Sequence, residues 1–544
     1  ERFDYSASGH NFATWAALDP GVYPQAPLYP FFVAALYEVL GFRYDAVRAV
    51  QMVLGAAACV LVTLLARRFL QPWTAVACGL GLAFFGPQVF YEGTFLRAGV
   101  FTFVAVAGLY LLVRASEPAT ARGGDGWALA AGVALSAGVL LRPNYSLFAV
   151  LALAWLYRTR SRRALAVAAA GLLLPLLPVI AANSVRSGGP RFLSSNGAYI
   201  FFIGNVHDAP GTTAGISPSY RRLVASRPLE EIDLMGEALR DIRRHPGAFL
   251  RLQLRKAVYF FAPVEIPNNL SYAMARETNP RLAAGFVQFY PLLPLAFAGI
   301  LVSLRRPRRH ILLYFFLGGY WASTVAFYVL SRLRQPVVLV LLIFAGVALE
   351  AWWGTLRRGR RGPAAVTAAA VILTTVLLRP GPAVHRPADY QMAAGAHFSL
   401  ARELESDESP TAARYHYART VALNPDFGEA VAELVRLGYR PAPPGPEIQA
   451  LCEEARSAMD EDRYDRALRL LERAIDLAPE AALPYHYLSN LAYLAGEPRR
   501  ALAAMEKAVE RDPYNDVLRL NLKRLRREAG LRGARPFTLG VAGR

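Results

Sequence analysis

The sequence predicts an all-α protein: a polytopic bundle of transmembrane helices with extracytoplasmic loops, followed by a C-terminal α-solenoid of helical repeats. Three observations predict it. Hydrophobic side chains make up 54% of the 544 residues, above the roughly 45–50% of an ordinary soluble domain, and the mean hydropathy is +0.25. The excess is concentrated before residue 380, in apolar runs of about 16–22 residues, the length that crosses about 30 Å of hydrocarbon. The remainder has soluble composition and repeats itself with an offset of 34 residues.

The formal net charge is +19. A nucleic-acid partner would want those charges in one patch or stripe, but they fall in tight clusters between apolar runs, the pattern of membrane topology. Nucleic acid is therefore not an expected partner; membrane lipids are. Cys59, Cys78 and Cys452 form no metal or disulfide spacing. Asp4, His10 and Asn11 precede the first apolar run, so a transmembrane helix is expected ahead of Glu1.

Spans are expected near 47–66, 72–91, 96–113, 127–141, 145–157, 164–183, 282–304, 311–331, 335–353 and 364–379. Every second connector is arginine-rich: Arg67 and Arg68; Arg114 and Arg122; Arg158, Arg160, Arg162 and Arg163; Arg305, Arg306, Arg308 and Arg309; Arg357, Arg358, Arg360 and Arg361. The positive-inside rule makes these loops cytoplasmic. Residues 1–46, 184–281 and those after about 380 are then extracytoplasmic, which suits a bacterial inner membrane with the tail in the periplasm. Against that trend, Arg48, Arg97, Arg142, Arg332 and Arg334 sit at the outer ends of spans. A single arginine there can snorkel to lipid phosphates; several converging ones suit an anionic ligand, because guanidinium binds phosphate through two parallel N–H groups.

In the tail, ALRLLERAIDLAP at 467–479 returns as ALAAMEKAVERDP at 501–513, so that Ala467, Leu468, Ala474 and Pro479 match Ala501, Leu502, Ala508 and Pro513. Small residues where two helices cross and a proline after the second are the tetratricopeptide (TPR) pattern. Clear repeats occupy about 451–530, within a domain spanning 381–544. A degenerate copy, ARYHYARTVALNP, lies at 413–425, and Pro441, Pro443, Pro444 and Pro446 mark a break in the stack or a linker. Such an array presents a concave face suited to an acceptor or partner protein.

The segment YPQAPLYPFFVAALYEVLGF at 23–42 resembles the first extracytoplasmic loop of bacterial GT-C glycosyltransferases of the protein-mannosyltransferase and aminoarabinose-transferase-like (family 39-like) group. FYEGTFLRAGVFTF at 90–103, LLRPN at 140–144, SSNGAYIFFIGN at 194–205, RKAVYFFAPVEIPNN at 255–269 and SRLRQP at 331–336 follow in the family's order. The resemblance implies a GT-C fold over 1–380. It also implies transfer of a sugar from a polyprenyl-phosphate donor to an extracytoplasmic acceptor, with inversion. It places the catalytic carboxylate at Asp4, with Asp19 and Glu92 as nearby alternatives, and donor-phosphate binding at Arg332 and Arg334, with Arg97 and Lys256 in support.

Glycosyl transfer needs a base for the acceptor hydroxyl and positive charge for the departing phosphate, so these residue types suit the reaction. Where the family carries an aromatic between the two arginines, this chain has Leu333, and Gln335 takes a commonly apolar place. Asn196, Gly197, Gly204 and Asn205 are expected to shape an outer loop. His10, His207 and His245 have no metal-ligand spacing, so neither metal nor cofactor is expected, the lipid-linked sugar being the substrate. The absence of a GxxxxGK[ST] loop fits a donor that arrives within the membrane. Two alternatives share these features: a ligase or polymerase acting on polyprenyl-diphosphate glycans, and a non-catalytic membrane scaffold organised by its TPR tail.

Overall fold

The computed structural model describes residues 26–531 except 118–123, 190–191, 194–196, 213–216, 227–231, 263–264, 267–271, 273–274, 277–281, 283–284, 286, 378–393, 396, 399, 403, 406–409, 426 and 443. The chain divides into two compact units. Residues 1–268 with 275–380 form the first; residues 269–274 with 381–544 form the second.

In the first unit the elements are α1 (Leu28–Leu40), α2 (Tyr44–Ala66), α3 (Pro72–Ala83), α4 (Gly86–Glu92), α5 (Ala98–Ser116), α6 (Gly124–Leu141), a 3-10 turn (Pro143–Tyr145), α7 (Ser146–Thr159) and α8 (Arg162–Arg186). After these come α9 (Gly197–Asn205), α10 (Pro218–Ser226), α11 (Leu234–Arg244), α12 (Pro246–Phe260), α13 (Phe289–Ser303), α14 (Pro307–Val325), α15 (Ser331–Arg357) and α16 (Arg361–Leu377). Among the described residues, five helices (α2, α5, α6, α8 and α15) are long and apolar enough to cross a membrane, and α1, α3, α13 and α16 are shorter apolar helices.

The expectation of ten full spans is therefore corrected in places. The run 72–91 breaks between α3 and α4. There Gly86 donates to the Val287 carbonyl (3.3 Å) and Val287 to the Phe84 carbonyl (3.1 Å), and Pro87 has no N–H with which to continue a helix. A Cβ on Gly285 would fall 2.4 Å from the Gly86 Cα, so the close approach needs glycine. The run at 145–157 becomes α7, whose 14 residues reach about 21 Å, short of the hydrocarbon thickness.

Backbone contact knits the spans. Ala128, Gly132 and Ser136 share one face of α6, and a Cβ on Gly132 would lie 2.1 Å from the Ala168 carbonyl oxygen of α8. Gly171 of α8 meets the Leu129 carbonyl in the same way (2.6 Å). Small residues at four-residue spacing let membrane helices approach and gain dispersion contact where lipid offers no hydrophobic drive. Gly299 of α13 lies equally close to the Phe344 carbonyl of α15, and most of the first two-thirds of α15 is buried.

The second unit contains α17 (Pro410–Leu423), α18 (Gly428–Arg436), α19 (Pro446–Asp460), α20 (Tyr464–Leu477), α21 (Ala482–Leu494), α22 (Pro498–Arg511) and α23 (Asp516–Leu531). The 34-residue offset carries α20 onto α22 end for end. Ala467, Ala474, Ala501 and Ala508 are all fully buried, so the repeated alanines are the helix-crossing positions. Even the turn is repeated: Asp462 (φ 57°) and Gly496 (φ 74°) occupy the same left-handed conformation. The degenerate copy departs from simple stacking order. Although α17 comes first in sequence, it packs against α22, with Tyr417 and Val421 sharing a core with Met505, Val509 and Leu518.

Candidate functional site

Three sequence motifs meet where α5 and α15 begin and α6 ends. Pro143 ends α6, and its last carbonyl, that of Leu141, accepts from Arg97 Nη1 at 3.1 Å, a cation on a helix C-terminus. Arg142, the next residue, is buried. Its Nη1 donates to the Tyr320 hydroxyl (2.8 Å), its Nη2 to the Arg332 carbonyl (2.9 Å), and its guanidinium lies over the Phe101 ring at 4.9 Å. The Arg332 bond has a specific cause. A helical carbonyl at 332 looks to the N–H of residue 336, and Pro336 has none. Arg142 supplies the missing donor, so LLRPN and SRLRQP are halves of one contact.

Arg334 is 1% exposed. It donates through Nη1 to the Ala262 carbonyl (2.5 Å) and through Nη2 to Glu265 Oε1 (2.9 Å), and it stacks 4.1 Å above the Phe289 ring. Glu265, which the sequence reading did not single out, is its counter-charge; the signal was the one acid inside RKAVYFFAPVEIPNN. The Ser331 hydroxyl accepts from the Ile266 N–H (2.5 Å) while the Ser331 N–H donates to the Ile266 carbonyl (3.0 Å). This fixes the 262–266 loop to the start of α15.

Lys256 of α12 is fully buried, and its Nζ reaches the Phe327 carbonyl (2.9 Å), Asn205 Oδ1 (2.9 Å) and the Gly204 carbonyl (3.1 Å). Burial pushes the amine down to about 7. All three ammonium protons are thus directed at protein oxygens. The expectation of phosphate contact gives way to a structural lock joining α9, α12 and the 326–330 connector. Gly204 belongs to the same lock, since a Cβ there would lie 2.2 Å from the Phe327 carbonyl oxygen.

Arg332 differs from all of these. Partly exposed, its guanidinium makes no hydrogen bond or ion pair among the described residues. It lies within electrostatic reach of Arg97 and of Tyr91, which also feels Arg142, Arg334 and Glu265. Arg142, Arg332 and Arg334 thus lie near Tyr91, with Arg97 near the first two, and the N-termini of α5 and α15 add positive dipole ends. Such an arrangement can hold an anion. Arg48, by contrast, pairs with Asp45 at 3.2 Å near the surface.

Behind Arg97, Tyr29 donates to Gln51 Oε1 (2.9 Å) and Gln51 Nε2 to the carbonyls of Glu92 and Thr94 (both 3.0 Å). The Glu92 carboxylate is buried and accepts from Gln88 Nε2 at 2.8 Å. Its side chain packs against Gly55 and Gly99, where any Cβ would collide with it. Asp4 and Asp19 lie outside the described residues.

Residues 24–183 match the family model of dolichyl-phosphate-mannose-protein mannosyltransferase. No curated protein sequence matches the chain. Among solved structures, the chain is similar to ArnT from Cupriavidus metallidurans in the apo state, at 15% identity and a TM-score of 0.38 over 80% of this chain and 69% of that one. ArnT bound to undecaprenyl phosphate gives 14% identity and a TM-score of 0.38 over 92% and 74%. The archaeal oligosaccharyltransferase AglB from Archaeoglobus fulgidus, in complex with an inhibitory peptide and a dolichol-phosphate, gives 15% identity and a TM-score of 0.37 over 81% and 55%. The family match takes in Arg97 and Arg142 and ends before Lys256, Glu265 and Arg332.

Proposed function

We propose that the protein is an integral-membrane glycosyltransferase that moves a sugar from a polyprenyl-phosphate carrier to an extracytoplasmic acceptor, with inversion. The observation that carries this reading is the meeting of Arg97, Arg142 and Arg332 at one end of the bundle, beside helices that begin there. The match of residues 24–183 to a polyprenyl-phosphate-sugar transferase family supports the donor class.

In this reading Arg332 is the principal phosphate contact and Arg97 assists it. Arg142 presents Arg332 by holding its carbonyl, and Arg334 and Lys256 fix the loops around it. As the sugar leaves, charge grows on the carrier phosphate, and pre-placed guanidiniums stabilise that charge without reorganisation. Asp4 takes the acceptor proton. The tail, read as a TPR solenoid on the periplasmic side, presents the acceptor or an assembly partner.

Mass spectrometry of glycolipids and glycoproteins from cells with the intact gene, without it, and with Arg332→Ala tests the reading. The expected outcome is a missing glycan with accumulated polyprenyl-phosphate sugar in both altered strains. Unchanged glycans would overturn it.

A further inference from the structure

Thirty-eight positions separate His207 from His245 in sequence, yet the fold brings them together around Asp241. Asp241 lies in the last turn of α11, His245 directly follows that helix with its N–H on the Asp241 carbonyl (2.9 Å), and His207 sits in the turn after α9. The His207 N–H donates to Asp241 Oδ2 at 2.6 Å, which orients the carboxylate. Oδ1 is left facing both imidazoles, 2.7 Å from His207 Nδ1 and 3.3 Å from His245 Nδ1. The two rings lie 4.3 Å apart. Neighbouring Asp208 is turned away, accepting from the N–H and hydroxyl of Ser219.

We infer that His207, Asp241 and His245 form a divalent transition-metal site of the zinc type on the extracytoplasmic segment, bracing α9 against α11. One ligand atom from each residue lies within 4.8 Å of the others. Around an ion with bonds of about 2.0–2.1 Å, tetrahedral ligand atoms stand about 3.3 Å apart, against 2.7 and 3.3 Å from Asp241 Oδ1 to the two imidazoles. Two imidazoles and a carboxylate suit Zn²⁺ and its first-row neighbours, with water in the fourth position; Mg²⁺ and Ca²⁺ prefer all-oxygen shells. The side chains are 33%, 17% and 44% exposed in sequence order, so an ion can enter from solvent.

The location gives the site a purpose. The core joining α9, α11 and α12 is small, built around Phe202, Val206, Ala238 and Leu252, and small cores gain from a metal staple. It also adjoins the lock in which α9 supplies Gly204 and Asn205 to Lys256. Sequence spacing gave no hint of this, so the expectation that no metal binds is revised to a structural ion outside the transfer chemistry.

The test uses the full chain in detergent, stripped with chelator and titrated with Zn²⁺ alone or Mg²⁺ alone. Wild type should take up one Zn²⁺ and gain thermal stability, with no response to Mg²⁺. His207→Ala combined with His245→Ala should bind at least tenfold more weakly and lose the gain. If the double variant aggregates, His245→Ala alone, at the most exposed ligand, carries the same comparison. Equal Zn²⁺ uptake and stabilisation by variant and wild type, or no uptake by wild type, would overturn the site.

Discussion

The arginine cluster at one end of the first unit and the open surface of the helical tail use arginine in opposite ways. On the tail's open surface Arg436 pairs with Glu433, Arg500 with Glu497 and Arg524 with Glu528, each about one helical turn away, while Arg436 also reaches Glu405 and the less exposed Arg419 and Arg526 reach Glu510 and Glu506. The one-turn surface pairs are screened and contribute a few tenths of a kcal/mol. In the membrane unit, Arg142 reaches Arg332 across 190 positions and Arg334 reaches Glu265 across 69, both from buried sites. A cation removed from water is costly to leave uncompensated. Local pairing therefore tunes a surface, whereas long-range pairing decides which loops may exist.

The largest expected effect breaks the buried pair. Glu265→Ala leaves the Arg334 guanidinium without its counter-charge and should cost about 3–5 kcal/mol, read as a lowered unfolding midpoint in detergent. Glu433→Ala in the tail should cost no more than about 0.5 kcal/mol. Equal small losses would erase the contrast between the two regions.

Arg332→Ala should leave stability within about 0.5 kcal/mol while lowering sugar transfer about 100-fold, the scale of losing one electrostatic donor in a transition state. A fall in midpoint as large as that of Glu265→Ala would instead make Arg332 structural. The Arg142 contact can be sharpened by a double-mutant cycle. Arg142→Ala alone should cost about 1–3 kcal/mol, by stranding the Tyr320 hydroxyl and the Arg332 carbonyl. With Pro336→Ala the helix regains an N–H for that carbonyl, and the loss should shrink by about 1 kcal/mol.

Lys256 gives a pH signature that surface pairs do not. Its amine titrates near 7 when folded and near 10.5 when free, so the unfolded chain binds more protons between those values, and stability should rise with pH across that window. Lys256→Met should flatten the slope in unfolding midpoints measured from pH 7 to 10. The smallest effect lies in the tail. Asp462→Gly relieves a left-handed residue but loosens the unfolded chain, for a net gain of no more than about 0.5 kcal/mol.

Much of the fold was legible in the sequence because it rests on local periodicity. Helices occur at all ten expected apolar runs, and the 34-residue echo placed α20 and α22 correctly. The errors fall where backbone meets backbone. The break at Gly86 depends on Gly285, about 200 positions later, and the position of α17 depends on a core shared with α22 and α23. At the site, the arginines stood out by their sign against the expected topology, but their different surroundings did not. Arg332 and Arg334 are two positions apart on one helix, and one is partly exposed while the other is 1% exposed.

By itself, the sequence determined that apolar runs of membrane length exist, which connectors carry the positive charge, and that the tail repeats. Each of these follows from the residue's own chemistry and its near neighbours, through transfer free energy and helical period. Only the tertiary structure decided which arginine is partly exposed and which is held by Glu265, that Arg142 replaces the donor Pro336 lacks, and that His207 and His245 share Asp241. Those outcomes depend on hydrogen-bond partners far along the chain, and the requirement that buried polar groups be paired acts only once the chain has folded.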